Sequence, residues 1–73
     1  MEQVKTGLTP RQLEVYKVIA RLIEANGYSP TYPELAEELG MKPNRVHYHV
    51  EALQTRGWVR KLKWHKRTLQ LVD

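Results

Sequence analysis

The sequence predicts a mainly α-helical fold with a small β-hairpin, in which a three-helix bundle is followed by two short strands. Three segments carry apolar residues at helical spacing, and capping residues, prolines or glycines bound each of them. Residues 58–72 hold two strand-like runs joined by a basic turn. We assign residues 8–73 to this single domain and residues 1–7 to a flexible N-terminal arm.

The first helix is predicted to begin after Thr9 and to stop at Gly27. Thr9 and Gln12 have the spacing of a capping box, and Pro10 suits the first helical position. Apolar side chains then recur every three or four residues, which predicts a buried stripe that Val15, Val18 and Leu22 widen and that is made of Leu13, Tyr16, Ile19, Ala20 and Ile23.

The second helix starts in the same way, with Thr31 as the cap and Glu34 three residues later, and stops at Gly40. Residues 28–30 precede it as an extended connector strand, because a residue before proline is disfavoured in the helical region. A second short helix so close to the next one is the pattern of a helix-turn-helix.

The third helix is predicted over residues 43–56, with Lys42 at its cap position. Strands over 58–63 and 67–72 follow, and the segment 60–67 that joins them is strongly basic. This order of elements is that of a winged helix-turn-helix. In that fold the third helix enters the major groove of DNA as the recognition helix, and the basic wing would contact the backbone or the minor groove.

Composition limits the class of protein. A chain of 73 residues forms one small domain, and without cysteine it has neither disulfides nor a cysteine zinc site. No apolar run approaches the roughly 20 residues that span a bilayer, and the polar start MEQVKTG does not resemble a secretory signal. We expect a cytoplasmic protein with no membrane association.

Charge is distributed unevenly along the chain, whose net charge is +4. Residues 1–40 carry four basic side chains and six glutamates, a net charge of −2, whereas residues 41–73 carry eight basic and two acidic side chains, a net charge of +6. This asymmetry favours a polyanionic partner, here double-stranded DNA. A basic solvated surface is the structural alternative.

A helical wheel separates two faces of the third helix. The inner face is apolar apart from one histidine and consists of Val46, His49, Val50 and Leu53. The outward and flanking positions near the start of the helix are the candidate base contacts: Asn44, Arg45, His47 and Tyr48. Asparagine suits adenine and arginine suits guanine. Ordinary exposed helix residues are the alternative interpretation, but histidine and tyrosine are less favourable there than glutamate, lysine or alanine.

Further candidate contacts address the DNA backbone. Lys42 is a poor N-cap, and its cation could instead face a phosphate. Thr31 and Tyr32 would contribute from the start of the second helix. The wing would contribute Lys63, Trp64, His65, Lys66 and Arg67. Trp64 has three interpretations: packing over the sheet, stacking on DNA, or contact with a protein partner.

The sequence predicts no metal site, no cofactor and no enzymatic activity. His47 and His49 are two residues apart on a helix and therefore point about 200° from one another, so they cannot share an ion. The chain contains no nucleophile motif, no phosphate-binding glycine loop and no inward pair of carboxylates.

The segment LTPRQLEVYKVIARLIEANGYSPTYPELAEELG resembles the start of LexA-type repressors, and VHYHVEALQTRGWVR resembles their recognition helix and following strand. The similarity covers about residues 8–72. It implies a sequence-specific DNA-binding module of a bacterial or phage transcriptional regulator, a repressor, without the self-cleaving C-terminal domain of that family. Some members carry glutamates at the positions of His47 and Tyr48, and the turn before Asn44 is one residue shorter here.

Two expectations concern assembly and an alternative function. With no cysteine and, Trp64 excepted, no apolar surface beyond the predicted core, we expect a monomer in free solution that pairs mainly on adjacent DNA half-sites. The alternative function is that of a protein-interaction module, for example a phage factor that binds host transcription machinery through Trp64. Binding of single-stranded nucleic acid is less favoured, because it would need several aromatic side chains on one face of the sheet, and only Trp58 and Trp64 qualify.

Overall fold

A computed structural model describes residues 7–61 and 69–72 and confirms the predicted fold. Within these two ranges, three helices precede a two-stranded antiparallel hairpin. Their bounds are α1 Pro10–Asn26, α2 Tyr32–Leu39, α3 Pro43–Thr55, β1 Val59–Lys61 and β2 Leu69–Leu71. None of the helices in the described part is long and apolar enough to cross a membrane.

Local capping chemistry defines the starts of the first two helices. In α1 the Gln12 amide donates to Thr9 Oγ1 at 3.1 Å, and the Thr9 amide donates to Gln12 Oε1 at 3.0 Å. In α2 the same reciprocal pair joins Thr31 and Glu34, at 3.2 and 2.9 Å. Both helices stop at a left-handed glycine, as predicted: Gly27 with φ 78° and Gly40 with φ 65°.

The core forms where the three helices meet the hairpin. Among the residues that the structure describes, six side chains are fully buried: Val15, Ile19, Leu35, Val46, Val50 and Leu53. Val59 and Leu69 extend this cluster onto the two strands. Fixing α2 and α3 against one shared core sets the position of α3, and with it the direction of its outward side chains.

The predicted stripe of α1 is wrong at one edge. Leu13 is 38% exposed, and the side chains that α1 buries are Val15, Ile19 and the polar Gln12. The cause is the broad apolar pattern of α1, which fits more than one centre at helical spacing. Packing against α2 and α3 selects the face that carries Ile19.

In the described part of the chain, the connector before α2 is not a strand of the sheet. Within the described residues the sheet has two strands, with Val59 opposite Leu71 and Lys61 opposite Leu69. Ser29 reaches β2 through its side chain instead, because its Oγ accepts a hydrogen bond from the Leu69 amide at 3.0 Å. This side-chain hydrogen bond ties the connector to the hairpin.

Three predicted boundaries shift by one residue. α3 ends at Thr55 instead of Arg56, and β1 begins at Val59 instead of Trp58. β2 ends at Leu71, although the Val72 amide still donates to the Trp58 carbonyl at 3.0 Å. The inner ends of the two predicted strands lie outside the described residues.

Candidate nucleic-acid interface

A short turn places α3 relative to α2. The Met41 amide donates to the Ala36 carbonyl at 3.1 Å after the left-handed Gly40, so the chain reverses within residues 40–42. Lys42 occupies the N-cap position of α3 and makes no side-chain capping bond. Its ammonium group is exposed at the start of the helix and is not used to hold the helix end.

The two faces of α3 are those that the wheel predicted. Val46, His49, Val50 and Leu53 are buried. The four candidate base contacts are exposed, and Tyr48 retains 63% of its accessible surface. Their exposure leaves these side chains accessible from outside; that they contact DNA bases remains a prediction.

Ion pairing differs between residues 1–40, the acidic half of the chain, and residues 41–73, the basic half. Within residues 7–61 and 69–72, two ion pairs occur, both 2.7 Å long: Arg11 with Glu14, and Arg21 with Glu38. Both lie on α1 and α2. The exposed cations of the basic half have no ion-pair partner in the same described part: Lys42, Arg45, Arg60 and Lys61. A surface with cations that the protein does not neutralise suits a polyanion.

Aromatic contacts join α2, α3 and β1 at one point. The rings of Tyr32 and His47 meet edge to face, with centroids 5.4 Å apart and an interplanar angle of 81°. Lys61 Nζ lies 5.3 Å from the centroid of the same Tyr32 ring. We call these three residues the Tyr32 cluster. The Tyr32 hydroxyl is buried and has no hydrogen-bond partner within the described residues.

Sequence reasoning placed Lys61 in the basic segment but not among the candidate contacts. A usable signal was present, because alternate residues of a strand share a face. Lys61 is two residues after the buried Val59 and opposite the buried Leu69, so it lies on the helix side of the hairpin. Arg60, opposite Gln70, lies on the other side.

His49 is buried beneath the recognition surface. Its Nδ1 atom has no hydrogen-bond partner in the described part of the chain, and its ring lies 5.4 Å from that of Tyr48. Burial is the main cause that lowers the pKa of His49, and the charges of Arg11 and Arg45 lower it further. His47 is exposed on the other side of the helix, so the two imidazoles face different surroundings.

The low pKa of His49 predicts loss of stability in acid. The unfolded chain, with the ordinary value of 6.5, binds the proton more readily than the folded one. The full free energy of unfolding is therefore present above about pH 6.5 and falls as the pH drops below it, by at most about 1.4 kcal/mol per pH unit. Urea unfolding between pH 7 and 5 should show this fall in the wild type and in His47→Leu, but less of it in His49→Leu. Equal slopes in all three proteins would contradict the role of His49.

The remaining site predictions fall on residues that the structure does not describe. These are the wing residues Lys63, Trp64, His65, Lys66 and Arg67, and the first six residues of the predicted arm. Gly7, the last residue of that arm, is described, and its carbonyl accepts a hydrogen bond from Arg56 at 3.2 Å.

Three helices with a close α2–α3 turn, followed by an antiparallel hairpin, define a winged helix-turn-helix protein. A family model described as "LexA DNA binding domain" matches residues 5–68. The chain belongs to this family, which confirms the resemblance drawn from the sequence.

Three relatives named LexA repressor share about a third to a half of the matched residues with this chain. The chain is 51% identical to that of Pseudomonas chlororaphis over 51 residues, which are 68% of this chain and 25% of the relative. It is 43% identical to that of Syntrophobacter fumaroxidans over 68 residues, 90% of this chain and 33% of the relative. For Magnetococcus marinus the identity is 36% over 67 residues, 92% of this chain and 29% of the relative. The chain thus spans between a quarter and a third of the length of these curated relatives.

Proposed function

We propose that this chain is the sequence-specific, double-stranded DNA-binding module of a transcriptional repressor and has no catalytic role. The observation that carries the proposal is the outward face of α3, which displays Asn44, Arg45, His47 and Tyr48 beside cations that have no ion-pair partner among residues 7–61 and 69–72. Membership of the LexA DNA-binding domain family supports it.

In the proposed complex, the first turns of α3 lie in the major groove and the hairpin follows the DNA backbone. Asn44 and Arg45 would recognise base edges through paired hydrogen bonds, and His47 and Tyr48 would add contacts along the same face. Lys42 would contact phosphates through its ammonium group. The start of α2, at Thr31 and Tyr32, would do so through backbone N–H groups of the helix N-terminus and not through the buried Tyr32 hydroxyl.

Selection from a pool of random duplexes tests the proposal and supplies the preferred sequence. Binding of the selected duplex is then compared with that of a shuffled duplex of equal composition over a series of salt concentrations. A steep fall of log K with log salt, together with tighter binding of the selected duplex, is the expected result. Failure to enrich any duplex would contradict the proposal, and the protein-interaction alternative would then be favoured.

The basic wing should contribute affinity without specificity. Lys63→Gln or Lys66→Gln should weaken selected and shuffled duplexes by the same factor, because phosphate contacts do not depend on base identity. Each change should also reduce the salt slope by about 1 unit. Lys17→Gln on the exposed side of α1 is the matched control and should leave the slope unchanged. An unchanged slope for a wing variant would mean that its side chain does not contact the backbone.

We also propose that the chain is monomeric in free solution and pairs on adjacent half-sites. Single modules bury only roughly 600–1,000 Å² of protein surface on DNA, so one half-site should bind weakly. Sedimentation equilibrium at micromolar concentration, without and with a duplex that contains two half-sites, measures this directly. A stable dimer without DNA that Trp64→Ala abolishes would contradict the proposal and assign Trp64 to a protein interface.

A further inference from the structure

We propose that Tyr32 is a positioning residue whose ring couples the recognition helix to the wing. It holds His47 of α3 and Lys61 of β1 in one arrangement, so that base recognition by α3 depends on a cation of the hairpin. This inference rests on the proposed function and adds a determinant of specificity that does not itself contact a base.

The backbone around Tyr32 is held firmly. It is the first residue of α2 and directly follows the Thr31 cap, whose capping box with Glu34 has bonds of 3.2 and 2.9 Å. The ring packs against the hydrophobic core. The position of the Tyr32 ring is therefore restricted, whereas His47 and Lys61 are exposed side chains that can adopt several rotamers.

Both contacts to the ring have geometries that are attractive. An edge-to-face pair with centroids 5.4 Å apart lies within the preferred range for aromatic rings. A lysine nitrogen 5.3 Å from the ring centroid lies within the distance of a cation–π interaction. Each contact restricts its exposed partner before DNA arrives, which reduces the entropy lost on binding.

Because the Tyr32 hydroxyl is buried, the contribution of the ring can be distinguished from that of the hydroxyl group. Tyr32 Oη has no hydrogen-bond partner in the described part of the chain and is shielded from solvent, so in this arrangement it cannot reach a phosphate. A buried polar group without a partner is unfavourable. Tyr32→Phe should therefore keep DNA affinity and specificity while leaving thermal stability equal or higher.

The position of Lys61 on the helix side of β1 makes a sharper test available. If Lys61 acted only on phosphates, Lys61→Gln would weaken all duplexes by one factor. Because Lys61 also contacts the Tyr32 ring, Lys61→Gln should in addition reduce the preference for the selected over the shuffled duplex, by about three-fold. Arg60→Gln removes the neighbouring cation on the other side of the strand and is the matched control, with an unchanged preference.

The decisive experiment measures the affinities for the selected and the shuffled duplex. It compares the full chain with the variants Tyr32→Leu, Tyr32→Phe, Lys61→Gln and Arg60→Gln. Tyr32→Leu should lower the preference about five-fold, since it removes both ring contacts, and Lys61→Gln should then have no further effect on preference in that background. Tyr16→Leu, which removes an edge-to-face contact with Trp58 at 5.1 Å, controls for loss of stability alone and should keep the preference.

The results separate the two proposals. If the wild type binds no duplex, the proposed function fails and this inference fails with it. Suppose that the wild type binds selectively, but that Lys61→Gln, like Arg60→Gln, lowers the affinity for the selected and the shuffled duplex by the same factor. Only the coupling through Tyr32 is then overturned. A loss of affinity in Tyr32→Phe as large as in Tyr32→Leu would also overturn it, because the hydroxyl would then be the contact. Should Tyr32→Leu fail to fold, the comparison of the two exposed hairpin cations still decides the matter.

Discussion

Leu53→Ala should greatly lower the free energy of unfolding and the urea midpoint of the protein. Leu53 is fully buried in α3 and belongs to the cluster that joins the helices to the hairpin. Truncating a buried leucine to alanine costs about 2–5 kcal/mol. A domain of this size has a total free energy of unfolding of only about 4–11 kcal/mol, on the usual scale per residue. The change therefore removes a large fraction of the stability.

Urea denaturation followed by circular dichroism measures this effect, and α1 offers a matched control. Leu13→Ala makes the same chemical change at a side chain that is 38% exposed, so it should cost much less than Leu53→Ala. Similar losses at the two sites would contradict the placement of Leu13 outside the core. They would restore the stripe that periodicity alone predicted for α1.

Arg45→Ala should produce the largest loss of sequence discrimination. Arg45 is exposed on α3 and has no ion-pair partner among the described residues, so its guanidinium is available for a guanine edge. A good bidentate pair contributes about 1–3 kcal/mol of discrimination between the correct and the wrong base. The preference for the selected duplex should fall accordingly, while the circular dichroism spectrum and melting temperature stay close to those of the wild type.

Arg21→Ala is the matched control for this prediction. It removes an exposed arginine that is paired with Glu38 on the acidic half of the molecule, and surface pairs of this kind contribute little to stability. Its preference between duplexes should equal that of the wild type. If Arg45→Ala weakened both duplexes by one factor, Arg45 would be a phosphate contact, and base recognition would have to come from its neighbours Asn44, His47 and Tyr48.

Features set by local chemistry were predictable from the sequence. The starts of α1 and α2 follow from threonine caps with a hydrogen-bonding partner three residues later, and their ends follow from Gly27 and Gly40. The inner face of α3 was also predictable, since its apolar residues have one clear helical period. These signals lie within a few residues of one another, so no distant contact was needed to interpret them.

Features that depend on distant contacts were not predictable in this way. The exposure of Leu13 follows from how α1 packs on α2 and α3, because its own pattern fits more than one face. Ser29 ties the connector to the hairpin because its hydroxyl oxygen accepts a hydrogen bond from the backbone amide of Leu69, 40 residues later. The Tyr32 cluster likewise brings together single residues from α2, α3 and β1, and none of them carries a signal for the others.

The chain therefore encodes its helices, its order of elements and its family membership in short stretches of sequence, where capping groups and periodicity act locally. Which side chains meet across those elements depends on packing, which joins residues far apart in the chain. The candidate base contacts belong to the first kind, because one helix carries them all. The coupling proposed through Tyr32 belongs to the second, because it exists only when three elements share one core.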